Sequence, residues 1–224
     1  MGIGHFAVGI VLKKAEPRLN AGWLVFGAFL SDFLLGIFAW LGMEQYGVPP
    51  DYASRHYLTF TFPYSHGLLA TVVWAALAAS FAALISKREK ERRARLALVM
   101  AVAVLSHFFL DALVHVPELP LAGADSYKVG LSLWDHLALE LSLEVLMTVV
   151  AVAIYLKFTR AKSGIGRYGM LSFAVLMTAM MVGGQASTKI PPGSAALVVS
   201  WIIMPVVFGA IVFWLDRQRT ALAR

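Results

Sequence analysis

No cysteine occurs in the 224-residue chain, so disulfides and thiolate metal ligands are excluded and any bound ion must rely on nitrogen and oxygen donors. Charge is scarce as well. Charged residues make up 14% of the chain and hydrophobic residues 59%, with a mean hydropathy of +0.74, which excludes an ordinary soluble domain with its usual quarter of charged residues. The first dozen residues lack a basic segment ahead of their apolar stretch, because Lys13 and Lys14 follow it, so no cleavable signal peptide is expected. Internal repeats and low-complexity tracts are missing too, and GGQASTK at 183–189 lacks the spacing of a phosphate-binding loop.

What remains is compatible with lipid. Apolar runs at 21–43, 66–86, 96–116, 133–156, 168–182 and 195–215 mostly approach the ~20 residues needed to cross the hydrocarbon, which predicts six transmembrane helices. Residues 2–12 are apolar but too short to span, and predict a short N-terminal half-helix. The expected fold is therefore all-α, a polytopic membrane helical bundle forming a single domain over 1–224. Pro49, Pro50 and Pro63 mark one external loop, and Pro117, Pro120, Gly123 and Gly130 another. Trp23, Trp40, Trp134, Trp201 and Trp214, with Tyr46 and Tyr64, fall near helix ends and read as interfacial anchors.

The net charge of +6 is concentrated. Sixteen of the nineteen Lys and Arg lie in four segments, 13–18, 87–95, 157–167 and 217–224, all on one side of a six-span topology. By the positive-inside rule that side and the C-terminus are cytoplasmic, so the basicity reflects topology and not nucleic-acid binding. The run KREKERRAR at 87–95 reads as a cytoplasmic loop, with a secondary capacity to attract anionic lipid headgroups. Only Arg55, Lys128 and Lys189 fall on the other side, where they are the basic residues placed to contact a phosphate ester.

Against this background the ionisable residues in the apolar runs stand out, since each costs at least ~2.5 kcal/mol at membrane depth. With a rise of ~1.5 Å per residue, Asp32 and His107 each lie ~16 Å from the cytoplasmic face, and His5 reaches ~12 Å if its half-helix ends there. His66, Asp111 and His115, with Asp135, His136, Glu140 and Glu144, are expected in the outer half. Residues four apart share a helix face, so His107, Asp111 and His115 predict one polar stripe, and His136, Glu140 and Glu144 a second. Imidazole and carboxylate at this spacing are a recurring way to hold a divalent cation in a helical bundle. Asp135 reads as a helix cap or a support to the ligands, and Glu144 as a support or proton relay.

The order of these residues resembles that of the zinc-dependent phospholipase C and P1-type nuclease superfamily. Their setting in hydrophobic helices is similar to the bacterial membrane-bound metal-dependent hydrolases called YdjM-like. The matching positions are His5 in GIGHF, Asp32 in LSDFLLG, His66 in PYSHGLL, and His107 with Asp111 in SHFFLD. The resemblance covers roughly residues 1–145 and departs at Ser31, where the family has proline, and at Leu34, where it has a second carboxylate. It implies a bacterial inner-membrane location and two or three divalent ions, foremost Zn²⁺, with Mn²⁺ and Fe²⁺ left open by the donor type. Asp32, His66, His107 and Asp111 would bind one ion. Asp111 would bridge to a second at His5, and His115, His136 and Glu140 would hold a third. Asp32 and Asp111 are the catalytic candidates, Asp32 as general base or water orienter.

The expected function is metal-dependent hydrolysis in the outer half of the bilayer, with a phosphoester of a lipid or lipid-linked molecule as substrate. Two rivals are an ion or metal transporter and a non-catalytic scaffold stabilised by metal. A transporter requires polar residues that continue into the inner half, whereas that half reads as almost wholly apolar. Oligomeric state is not legible. The topology makes the first prediction: a reporter fused to the C-terminus is active only if it is of the type that matures in the cytoplasm. Activity of a reporter that needs export would invert the assignment of every depth above.

Overall fold

The computed structural model describes residues 2–86 and 90–222; residues 87–89 of the basic run and 223–224 of the C-terminal segment lie outside them. The apolar opening forms α1 (Ile3–Leu12), too short to cross a membrane and buried along most of its length. Asn20 then caps α2 (Ala21–Ala28), its side-chain oxygen accepting from the Gly22 amide at 2.8 Å. A single residue, Phe29, separates α2 from α3 (Leu30–Trp40), and the two axes differ by 50°. The run expected as one straight crossing is therefore bent, as in a broken span or a re-entrant loop. Asp32 sits in the first turn of α3 and not midway along a continuous helix, so a depth counted along a straight axis does not apply to it.

Beyond α3 come β1 (Gln45–Gly47), the single turn α4 (Tyr52–Arg55) and β2 (Thr59–Thr61), with Tyr46 opposite Phe60 in an antiparallel ribbon. Two long helices follow, α5 (Leu68–Ile85) and α6 (Lys90–Val114). A second ribbon, β3 (Leu119–Pro120) with β4 (Lys128–Val129), and a 3₁₀ turn at Leu133–His136 lead into α7 (Leu137–Phe158). After β5 (Thr159–Ala161), α8 (Gly164–Ser187) and α9 (Ser194–Arg217) run to β6 (Arg219–Ala221), which pairs with β5. Five of the nine helices among the described residues are long and apolar enough to span a membrane, or six spans with the bent pair α2–α3. The chain is an all-α membrane bundle, and its strands are short ribbons at the ends.

The largest core cluster has α1 at its centre. Phe6, Ala7 and Ile10 of α1 meet Val25 and Phe29, then Val152 and Tyr155 of α7, Met170 of α8 and Val212 of α9. Lipid offers no apolar driving force between helices, so close packing must supply the association. Gly9 shows how close: a Cβ there would lie 2.7 Å from Val25 Cα, so the α1–α2 contact admits no side chain at that position. The outer surface is apolar, with Leu69, Val73, Leu77, Phe81 and Leu84 of α5 all exposed.

The basic segments gather at one end. Lys13 Nζ donates to Asp216 Oδ2 at 2.7 Å, and Asp216 also accepts from Tyr155 Oη and the Ala21 amide. Arg219 clasps β5 and α8 through Thr159 and Gly166, while Arg95 reaches the Ala15 carbonyl and lies 3.8 Å from Glu16. The Lys13–Asp216 pair is almost fully buried, and removing one partner of such a pair costs about 3–5 kcal/mol by stranding the other. Asp216→Ala is expected to destabilise the detergent-solubilised protein by that amount in a denaturant titration, and Lys13→Met in the same chain to recover most of it. An Asp216→Ala midpoint equal to wild type would contradict the role given to this cluster.

Candidate metal centre

At the other end α6 presents His107 and Asp111 on one face, as the four-residue spacing predicts, and His115, the residue just past the end of α6, still turns toward Asp111; all three are buried. Three further elements add to that face. His5 comes from α1, with its Nε2 3.1 Å from Asp111 Oδ1; Asp32 comes from the first turn of α3; and His66 precedes α5. Asp111 Oδ2 faces the other imidazoles, with His107 Nε2 at 3.0 Å, His66 Nε2 at 3.6 Å and His115 Nε2 at 3.7 Å. The two oxygens of one carboxylate thus look toward two sets of histidines.

The hydrogen bonds on the far sides of these rings settle their tautomers. His107 Nδ1 lies 2.8 Å from the Ala28 carbonyl, which can only accept, so this nitrogen carries the proton. Ala28 ends α2 at the break, where helix carbonyls lack intrahelical partners. Ser65 Oγ donates to Glu44 Oε2 at 2.6 Å, so His66 Nδ1 must donate to Ser65 Oγ, at 2.7 Å. His115 Nδ1 donates to Glu118 Oε1 at 2.6 Å. Each ring therefore turns an unprotonated Nε2 inward when neutral. His66 Nε2 and His107 Nε2 are then 3.0 Å apart with lone pairs opposed, a contact that needs a proton or a cation between them.

The donor spacing suits a cation. Among His66 Nε2, His107 Nε2, Asp111 Oδ2 and Asp32 Oδ1, five of the six separations run from 3.0 to 4.0 Å. A tetrahedron of ligands around zinc, with bonds of ~2.0–2.1 Å, has edges of ~3.3 Å. His5, Asp32 and His107 form a second convergent group, and the buried His5 Nδ1 has no hydrogen-bond partner among the described residues.

The remaining ligand candidates are not drawn into this group. The stripe expected from His136, Glu140 and Glu144 is interrupted, because α7 begins at Leu137 and His136 belongs to the 3₁₀ turn, exposed, with φ −123° and ψ 60°. Glu140 is fully buried, neither of its carboxylate oxygens has a hydrogen-bond partner among the described residues, and no convergent group of candidate ligands among them contains it, His115 or His136. Glu144 has a different task. Its Oε1 accepts from the Gly2 amide at 2.7 Å and its Oε2 from the Ile3 amide at 2.8 Å, so it caps α1, the helix that carries His5. Asp135 makes no cap; it accepts from Tyr57 Oη at 2.8 Å and lies 3.8 Å from Arg55 Nη1. Burial and then this bond to Asp135 raise the Tyr57 phenol above its ordinary pKa and keep it a neutral donor.

A pocket of about 330 Å³ opens onto the cluster, with Asp32, His66, Asp111 and His115 in its wall. Much of the rest of that wall is aromatic. Trp134 lies 3.9 Å from the His115 ring between centroids, and Trp201 and Phe208 of α9 also line the pocket. Trp134 and Trp201, expected as interfacial anchors, are thus pocket residues, and α9 contributes although the motif-bearing region stops near 145. Arg55 stands behind Trp134 in a chain of contacts through Tyr57, whose ring stacks on Trp134 at 5.4 Å. Arg55, Lys128 and Lys189 are exposed and line no part of the pocket. Glu44 and Ser65, which fix His66, and Glu118, which fixes His115, carry no motif. Only the three-residue spacing of His115 and Glu118 offered a signal.

Comparison of the chain with protein-family models, curated proteins and solved structures gives no match. The cap on α1 is directly testable. Glu144→Ala removes two hydrogen bonds to a charged acceptor, together worth about 3 kcal/mol or more, and is expected to lower the unfolding midpoint accordingly, with Glu144→Gln intermediate. Wild-type stability in Glu144→Ala would mean that α1 is held by packing alone.

Proposed function

We propose that the chain is a membrane-embedded, metal-dependent hydrolase acting on a phosphoester of a lipid or lipid-linked substrate, in a bacterial inner membrane with the C-terminus cytoplasmic. One observation carries the reading: two imidazole nitrogens with committed far sides oppose each other at 3.0 Å beside two carboxylates. His66, His107, Asp111 and Asp32 would hold one divalent ion, and His5 on the second oxygen of Asp111 would share in holding another. All-nitrogen and oxygen donors suit Zn²⁺, and Mn²⁺ and Fe²⁺ are also accommodated by these ligand types. When bound, such an ion supplies a Lewis acid for a phosphoryl oxygen and a water acidified toward pH ~7.

The chain's own residues divide the remaining work. Asp111 is 2% exposed and locked among imidazoles, whereas the Asp32 side chain is 26% exposed and lines the pocket. Asp32 is therefore the carboxylate placed to orient a water and take its proton. Phe60, Phe62, Trp134 and Trp201 give the pocket an apolar wall suited to an acyl or isoprenoid chain and to excluding bulk water. Arg55, linked to the pocket residue Trp134 through Tyr57, is the cation nearest in the contact network for a phosphate.

A transport pathway fits less well. Between His5 and the Lys13–Asp216 cluster, Phe6, Ile10, Val25 and Val152 belong to one buried apolar cluster, which separates the two polar groups along α1. The reading is tested by stripping the purified protein with chelator, reloading it with Zn²⁺, Mn²⁺ or Fe²⁺, and assaying phospholipids and a chromogenic phosphodiester. Metal-restored turnover is expected, lowered about 10²-fold or more in Asp32→Asn, with Arg55→Ala raising KM more than it lowers kcat. Absence of turnover with every metal across both substrate types would refute the hydrolase reading.

A further inference from the structure

Two cavities that the hydrolase reading does not use begin at the end of the bundle away from the metal centre. Among the described residues the first is lined by Arg18, Arg92 and Arg95 together with the Glu16 carboxylate. That carboxylate is already engaged, its Oε2 lying 3.8 Å from Arg95 Nε and its Oε1 accepting from the Arg18 amide. The second is a groove of about 590 Å³ between α2, α5 and α6, walled by side chains such as Trp23, Phe26, Trp74, Leu77 and Phe81. Its floor is Leu19, Ala78, Ala82, Leu96 and Met100, a packed apolar cluster.

The two cavities meet along the chain at successive residues. Arg18 lines the basic cavity and Leu19 the groove, and Arg95 and Leu96 repeat the pattern on α6. The groove follows α5 from Ser86 to Trp74, a rise of ~18 Å, which matches one leaflet of a hydrocarbon core ~30 Å thick. An anionic head above an apolar slot one leaflet deep is the shape of a phospholipid, and the charge at the head end selects its sign.

We infer that this surface is a binding site for a single anionic phospholipid, its phosphate on Arg18, Arg92 and Arg95 and one acyl chain in the α2–α5–α6 groove. The site rests on no metal-centre residue and is separate from the proposed substrate pocket. Because α2 both lines the groove and ends at the break that feeds Ala28 to His107, a lipid seated here braces the helix on which the metal centre's geometry depends.

Trp23 and Trp74 make the site observable. The full chain in detergent is titrated with phosphatidylglycerol and with phosphatidylcholine, each brominated on its acyl chains, while tryptophan fluorescence is read. Phosphatidylglycerol is expected to quench at a concentration at least tenfold lower than phosphatidylcholine, and Trp23→Phe/Trp74→Phe to lose that high-affinity component. Arg92→Gln/Arg95→Gln should erase the preference; should that pair not fold, Arg92→Gln alone, on an exposed side chain, should reduce it severalfold. Equal quenching by the two lipids, or a preference that survives the arginine substitutions, would overturn the inference. Inorganic phosphate that competes as effectively as the lipid would also overturn it, by showing that the groove contributes nothing.

Discussion

Two imidazole nitrogens that face each other across 3.0 Å, each with its other nitrogen already donating, set the terms for the rest of this structure. Their lone pairs repel unless something positive lies between, and Asp111 and Asp32 stand beside them as the balancing charge. A buried set of ionisable groups is costly in a membrane protein, and its components must compensate one another or be compensated by a bound cation. A cation held by this group, as proposed, would be coupled to folding, because its donors come from separate parts of the chain: α1, α3, the turn before α5, and α6.

Those elements are supported by groups some distance along the chain. The break between α2 and α3 exposes the Ala28 carbonyl for His107 and starts a new helix whose first turn carries Asp32. Glu44 accepts from the Tyr64 and Ser65 amides as well as from Ser65 Oγ, so one loop carboxylate fixes the whole approach to His66. Glu118 does likewise for His115 and also accepts from the Phe60 amide, tying β2 to the rim. At the opposite end Lys13, Asp216, Tyr155 and Arg219 fasten α1, α7 and α9 to one another. The bundle is thus pinned by polar contacts at both ends and packed by apolar contacts between them.

Much of this was legible from residue type and spacing. The apolar runs located the long helices, and the four-residue spacing of His107, Asp111 and His115 located their common face. Long helices obey a simple period, which is why these readings transfer. The break at Phe29 was not legible, since no proline marks it and the flanking residues are as apolar as those of a straight span. The 3₁₀ turn that removes His136 from the α7 stripe was equally silent, because a short turn shifts helical register without changing composition. Glu44 acts on Ser65 across twenty-one positions, a relation that no local pattern encodes. The roles of Trp134 and Trp201 were hidden for a related reason: aromatic residues at helix ends serve as lipid anchors or as pocket walls according to what the loops place beside them.

The most direct test of the central claim is the metal content of the purified chain, measured by elemental analysis after loading and extensive dialysis, together with its thermal stability. The account predicts at least one divalent ion per chain, a lowered Tm on chelation, and loss of both the ion and its stabilisation in His107→Ala. A wild-type chain that retains no stoichiometric metal, with a Tm indifferent to chelator, would contradict it.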